Sequence, residues 1–166
     1  MIVVSDTTPL LTLFKIGQID LLNKLYNSVH IPFAVFEELT RNTEYPEEAE
    51  YFRNCPFLEI HSDFSADRVS LLQRATGLDL GESEAIILAD ERQPSFLLIE
   101  ESKGRVVAEN MKLTITGSIG ILFAAYQKKL LTADEIDQSV TMLRDMNRFI
   151  SEKLFNLLLS LVHDKK

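Results

Sequence analysis

Short apolar runs alternate with helical stretches along most of this chain, and this alternation restricts its fold more than any other feature. The runs predict strands at residues 2–5, 29–31, 57–60, 96–99 and 113–115. The run at 96–99 is almost wholly apolar, as expected for a strand that is buried on both faces of a parallel sheet. Strands that alternate with helices form sheets of this kind. We therefore predict an α/β fold with three α/β/α layers, in which the parallel sheet has about four to five strands.

Proline and glycine mark several helix starts. Thr8 followed by Pro9 predicts an N-cap with proline at the first helical position. Pro32 opens a further helix, and the acidic segment 42–50 predicts a loop that continues as a solvated helix to Arg53. A glycine-marked helix is expected in LDLGESEAIILADE, and residues 106–111 predict another helix.

The C-terminal part of the chain contains helical patterns and no strand of note. Helices are predicted at Ala133–Asn147 and Ser151–His163, and the second is apolar over much of its circumference. We therefore expect a domain at residues 1–132 and a helical extension at 133–166 that packs on the domain or on a partner. Homodimerisation through this extension is one possibility.

Composition limits the class of protein. The chain has 166 residues, 46% of them hydrophobic, and no apolar run reaches the roughly 18 residues that a membrane span needs. The N-terminal MIVV run lacks the basic region and cleavage site of a secretory signal, so we expect a cytoplasmic protein without membrane contact. The three histidines are scattered singly, so each is expected to be structural or solvated: His30, His61 and His163.

The net charge of −8 argues against broad electrostatic attachment to phosphate backbones. It is compatible with a nuclease whose carboxylates bind cations, because a bound metal ion inverts the local field. An acidic chain also suits a basic protein partner.

Four acidic residues fall at ends or polar edges of predicted strands and helices near the carboxyl side of the sheet: Asp6, Glu38, Glu84 and Glu101. Individually, each has an ordinary structural interpretation, such as capping a helix or lying on a solvated helix face. Together they are more informative, because hydrolysis of a phosphodiester by Mg²⁺ or Mn²⁺ requires several carboxylates that converge on the ion. Asp6 is the clearest of them, since the carboxyl ends of parallel strands form the usual ligand crevice.

The sequence resembles the PIN-domain family, and in particular its VapC-like toxin ribonuclease branch. The resemblance covers roughly residues 2–130 and is carried by SDTTPLLTLFKIGQIDLL, IPFAVFEEL, GESEAIILADE, FLLIEESKGR and LTITGSIGILFAA. It implies a PIN-like fold and a metal-dependent endoribonuclease, with RNA as substrate and a cognate antitoxin as partner. The acids of the family motif fall on Asp6, Glu38, Glu84 and Glu101, which it implies are catalytic ligands of Mg²⁺ or Mn²⁺.

Two positions depart from the family pattern. Glutamate stands at position 101, where PIN proteins usually carry aspartate. Glu82 and Glu84 are both candidates for the third acid of the family motif. They point about 200° apart around a helix. Glu84 is preferred as this acid because Ala85 follows it, as in the family pattern. Glu82 is expected to cap the helix start, or to support the metal ligands without binding the metal itself.

Two other functions compete with the ribonuclease. One is a catalytically inactive PIN-fold module for nucleic-acid binding or regulation. The other is an aspartyl-phosphate domain, which is weaker because Asp6 has no second aspartate nearby and no lysine is placed to bind the phosphate. Lys103 and Arg105 follow Glu101 and either meet an RNA phosphate or form a solvated face.

Overall fold

The structure is a computed structural model that describes residues 1–41, 44–146 and 150–164. Within these residues, the strands are β1 (Val3–Ser5), β2 (Val29–Pro32), β3 (Leu58–His61), β4 (Phe96–Leu98) and β5 (Ile115–Thr116). The helices are α1 (Thr7–Lys15), α2 (Asp20–Tyr26), α3 (Phe33–Thr40), α4 (Pro46–Arg53), α5 (Ala66–Thr76), α6 (Leu80–Arg92), α7 (Ser102–Asn110), α8 (Ser118–Gln127), α9 (Ala133–Met146) and α10 (Glu152–His163). The start of the predicted 42–50 loop, the predicted end of a helix at Asn147 and the last two residues of the predicted extension lie outside the described residues.

All five strands are parallel and lie in the order β3-β2-β1-β4-β5. The chain builds outward from β1 to β3 on one side and then returns to place β4 on the other side of β1. The order therefore reverses between β1 and β4. In open α/β sheets, ligands bind in the crevice at such a reversal, outside the carboxyl ends of the strands. The predicted α/β fold with a parallel sheet is confirmed.

Successive residues of β1 face opposite sides of the sheet, and helices cover both sides. Val3 belongs to a large apolar cluster with residues of α1, α2, α8, α9 and α10. Val4 belongs to a smaller cluster with residues of α6 and α7, including Ile86, Leu88 and Ala108. This arrangement gives the three layers and explains why β1 and β4 are almost wholly apolar.

The two C-terminal helices complete the larger cluster. Ile136 and Val140 of α9, and Phe155 and Leu158 of α10, are buried against it. Helix α10 contacts both α8 and α9. The division of the chain at residue 132 stays a prediction.

Two helices begin earlier than the sequence pattern predicted. Helix α1 begins at Thr7, so Asp6, rather than Thr8, occupies its N-cap position. Helix α7 begins at Ser102 instead of residue 106, so Glu101 occupies the N-cap position there. Asp6 therefore lies between β1 and α1, and Glu101 ends the short connection between β4 and α7. No helix among the described residues is both long and apolar enough to cross a membrane.

Candidate metal centre

Asp6 lies at the centre of the sheet's carboxyl edge. Its backbone N–H donates to the carbonyl oxygen of Leu98 in β4 at 2.9 Å, which fixes the end of β1 beside the end of β4. The residue is only 3% exposed. Although Asp6 occupies an N-cap position, its side chain makes no capping hydrogen bond to α1. The capping interpretation therefore does not account for this carboxylate.

Glu38 reaches the same edge from α3. The Thr7 hydroxyl donates to Glu38 Oε1 at 2.5 Å, which ties Glu38 to the residue that follows Asp6. Gly81 of α6 leaves the space that the Glu38 carboxylate occupies, because a Cβ at position 81 would collide with Oε1. Glu38 is therefore held between the starts of α1 and α6.

The first turn of α6 adds two more acids. Asp79 is the N-cap residue, and its Oδ1 accepts the backbone N–H of Glu82 at 2.8 Å. Glu82 is 6% exposed, and its Oε2 is buried without a hydrogen-bond partner. This oxygen lies 3.2 Å from the position that a Cβ on Gly104 would take. A buried carboxylate oxygen without a partner is rare and costly in free energy.

Glu101 and Glu100 both follow β4, but they have separate surroundings. Glu101 is partly exposed and is an electrostatic neighbour of Asp6, Glu38 and Glu82. Glu100 is buried, and its Oε1 accepts the backbone N–H and the hydroxyl of Ser118 at 2.9 and 2.7 Å. Glu100 thus holds the start of α8, while Glu101 joins the other acids.

Burial and mutual repulsion raise the pKa values of Asp6, Glu38 and Glu82. Burial raises the pKa of Asp6 to about 7, and the charges of Asp79, Glu38 and Glu101 add to this effect. The pKa of Glu82 rises to about 8, first through burial and then through its contact with the Glu101 carboxylate. Burial also raises the pKa of Glu38. The raised pKa values of Asp6 and Glu82 therefore let these two carboxyl groups hold protons near neutral pH.

Glu84, which the sequence pattern favoured, lies apart from this cluster. Its Oε1 accepts the backbone N–H of Ala34 at 3.1 Å. Burial raises the pKa of Glu84, and the charge of Glu37 adds to this effect. It remains an electrostatic neighbour of Glu38, whereas the charges that most raise the pKa values of Asp6 and Glu82 include those of Asp79 and Glu101. The structure thus brings Asp6, Glu38 and Glu101 together with Glu82, while Glu84 neighbours Glu38 and is bonded to the backbone of Ala34.

A local signal in the sequence favours Glu82 over Glu84. Asp79 at the N-cap and Glu82 three residues later have the spacing of a capping box, which marks the start of a helix. Helix α6 leads into β4, so its first turn lies at the carboxyl edge of the parallel sheet. Glu82 lies in that turn, whereas Glu84 lies further along the helix and on a different face.

The basic residues after Glu101 also differ in their surroundings. Arg105 Nη1 donates to the carbonyl oxygen of Ile99 at 2.7 Å, so this guanidinium is engaged within the fold. Lys103 is exposed, and its Nζ lies 3.1 Å from where a Cβ on Gly77 would stand. Gly77 is two residues before Asp79. Lys103 is therefore the better placed of the two to meet a phosphate near the acids.

The donor set fits a hard divalent cation. Mg²⁺ and Mn²⁺ prefer carboxylate oxygens, and this cluster presents several from different elements of the fold. The unpartnered Oε2 of Glu82 supplies a buried ligand atom that lacks a hydrogen-bond donor. A bound cation would also offset the repulsion that raises the pKa values of Asp6 and Glu82.

Comparison with known families agrees with this arrangement. Residues 2–164 match a family model described as DUF3368, a PIN domain. The chain therefore belongs to the PIN-domain family, whose members are generally nucleases and typically use divalent metal ions. Comparison with curated proteins and with solved structures gives no match for this chain.

Proposed function

We propose that this protein is a divalent-metal-dependent endoribonuclease and the toxin of a toxin–antitoxin pair. The observation that carries the proposal is the cluster of buried and half-buried acids at the point where the strand order reverses, with Glu82 Oε2 left without a partner. Membership of the PIN-domain family supports the nuclease class.

We assign the metal ligands to Asp6, Glu38, Glu82 and Glu101. Glu82 takes the place of Glu84 in this assignment because Glu84 is bonded to the backbone of Ala34. A bound Mg²⁺ or Mn²⁺ would orient the scissile phosphate, ionise water near neutral pH and stabilise the leaving oxygen.

The chain's own residues prepare this chemistry. The Thr7 hydroxyl and the absence of a side chain at Gly81 fix the position of the Glu38 carboxylate. The raised pKa of Glu82 lets that side chain hold a proton near neutral pH and release it when a cation binds. Lys103 is placed to attract the RNA phosphate, which the net charge of −8 would otherwise repel.

RNA as the substrate and an antitoxin as the partner rest on the resemblance to the VapC-like branch. The exposed leucines of α10, namely Leu154, Leu157 and Leu161, offer an apolar surface that suits a protein partner. A homodimer would use the same kind of surface. Light scattering of the purified chain, alone and with the product of a neighbouring gene, would test both associations.

The proposed activity is tested by cleavage of a panel of structured RNAs with Mg²⁺ or Mn²⁺. Wild type is compared with Asp6→Asn, Glu82→Gln and Glu84→Gln, and EDTA serves as the metal-free control. We expect wild type to cut, Asp6→Asn and Glu82→Gln to lose on the order of 100-fold or more in rate, and Glu84→Gln to stay near wild type.

The outcomes separate the competing functions. Cleavage that persists in EDTA would contradict the metal-carboxylate mechanism. RNA binding that is equal with and without Mg²⁺, in the absence of cleavage, would favour the inactive binding module. Loss of activity in Glu84→Gln but not in Glu82→Gln would restore Glu84 as the third ligand.

A further inference from the structure

A second group of potential ligands lies on β2 and β3, although the histidines are far apart in the sequence. His30 of β2 pairs with Glu59 of β3, and Pro32 pairs with His61. Alternation along the two strands therefore places His30, Glu59 and His61 on one face of the sheet. His30 Nδ1 lies 2.7 Å from His61 Nε2 and 4.0 Å from Glu59 Oε1. One ligand atom from each residue lies within 4.8 Å of the others.

An outer carboxylate lies beside one of these histidines. Asp63 Oδ1 lies 3.5 Å from His61 Nδ1, and Arg92 Nη2 holds that carboxylate at 2.6 Å. A carboxylate beside Nδ1 favours the tautomer in which Nδ1 carries the proton. The lone pair of His61 Nε2 then points at His30. Metal-binding histidines in proteins typically have a carboxylate or carbonyl in this position.

The distances allow a metal ion between the two rings after a small adjustment. Two nitrogens bound to one tetrahedral Zn²⁺ at about 2.0–2.1 Å lie about 3.3 Å apart. His30 Nδ1 and His61 Nε2 would therefore move apart by about half an ångström from their 2.7 Å contact. The Glu59 side chain is 54% exposed, so it is free to change rotamer and approach the ion.

This histidine site is separate from the acidic centre. Arg92, which holds Asp63, is the last residue of α6, whereas Gly81 and Glu82 of the acidic centre lie in its first turn. Ten residues of α-helix span about 15 Å. The ligand chemistry differs as well, because imidazole suits Zn²⁺ and related ions while carboxylate clusters suit Mg²⁺ and Mn²⁺.

We propose that His30, His61 and Glu59 form a second metal site, specific for a first-row transition ion such as Zn²⁺. The ion is held by His30 Nδ1, His61 Nε2 and a Glu59 carboxylate oxygen, and the fourth position is open to water. Because β3 is an edge strand that pairs only with β2 among the described strands, the ion stabilises this edge of the sheet. The site does not depend on the ribonuclease proposal.

The test is calorimetric titration of the full chain with Zn²⁺ after removal of metals, in the Asp6→Asn background, which removes one proposed ligand of the acidic centre. Co²⁺ serves as a second probe, whose visible absorption reports the ligand geometry. We expect one equivalent to bind. His61→Gln should weaken binding by at least about tenfold, and Asp63→Asn by about 10- to 100-fold. His163→Gln is the matched control, because His163 pairs with Asp137 between α10 and α9, away from the site.

Thermal unfolding gives an independent measurement. A Zn²⁺ concentration of about 100 times the dissociation constant should raise Tm by roughly 5 to 10 °C in the Asp6→Asn chain and should have no such effect with His61→Gln. The proposal would be overturned if wild-type histidines bound no equivalent of Zn²⁺, or if His30→Gln and His61→Gln both left the binding unchanged. The contact would then be a simple hydrogen bond between two histidines. RNA cleavage that is unchanged in His61→Gln would show that the two centres act separately.

Discussion

Asp6→Asn is expected to stabilise the metal-free protein at alkaline pH, although it replaces a proposed metal ligand. Asp6 is buried, and its pKa rises from 3.8 to about 7 in the folded state. Between these two pH values the folded chain keeps a proton that the unfolded chain has released. The stability of wild type therefore falls as the pH rises through this window, and the loss is complete above pH 7.

The magnitude follows from the size of the pKa shift. Each pKa unit corresponds to about 1.36 kcal/mol, so a shift from 3.8 to about 7 costs wild type up to about 4 kcal/mol at pH 8. Asparagine at position 6 carries no charge at any of these pH values. We expect Asp6→Asn to be about 2 to 4 kcal/mol more stable than wild type at pH 8, which corresponds to roughly 5 to 15 °C in Tm. The difference should be close to zero at pH 4.

The assay is thermal and urea unfolding in EDTA at pH 4 and pH 8. Circular dichroism is the suitable signal because the chain contains no tryptophan. Asp134→Asn is the control, since Asp134 is an exposed acid in the first turn of α9. If Asp6→Asn were no more stable than wild type at pH 8, or if its advantage were the same at both pH values, the inference that burial raises the pKa of Asp6 would be refuted.

Three further predictions concern neighbouring groups. Gly81→Ala puts a methyl group against the Glu38 carboxylate, so the Mn²⁺ affinity measured by calorimetry should fall by about tenfold or more. The circular dichroism spectrum should be retained. An unchanged affinity would show that this carboxylate is not confined. Glu100→Ala removes the buried acceptor of two hydrogen bonds from Ser118, so the free energy of unfolding should fall by about 1 to 3 kcal/mol in urea titrations. Mn²⁺ affinity should rise steeply from pH 5 to pH 8, because the cation must displace the proton that Asp6 holds below about pH 7. Equal affinity at both pH values, measured by calorimetry, would exclude Asp6 as a ligand.

The sequence was sufficient to place three of the clustered acids at one edge of the sheet. Asp6 and Glu101 follow apolar runs, and strands of a parallel sheet end at a common edge. This reasoning needs only the order of strands and helices. It favoured Glu84 over Glu82 because Ala85 follows Glu84. It could not give the rotation of α6 about its axis, which the packing of Gly81 against Glu38 fixes.

The histidine pair was not predictable from the spacing of residues in the chain. His30 and His61 are 31 residues apart, and their contact depends on the register in which β2 and β3 pair. A shift of one residue in that register would turn one side chain to the opposite face of the sheet. The separate surroundings of Glu100 and Glu101 have a similar origin, because successive residues at the end of a strand face different sides.

The unpartnered oxygen of Glu82 also bears on how much of the protein persists in a cell. A cation that binds the folded chain and not the unfolded chain shifts the folding equilibrium by mass action. Marginally stable chains are removed by proteases in proportion to their unfolded fraction, so a change of 1 to 2 kcal/mol alters abundance several-fold. With the acidic centre as its metal site, this protein would accumulate when divalent cations are plentiful and be degraded faster when they are scarce.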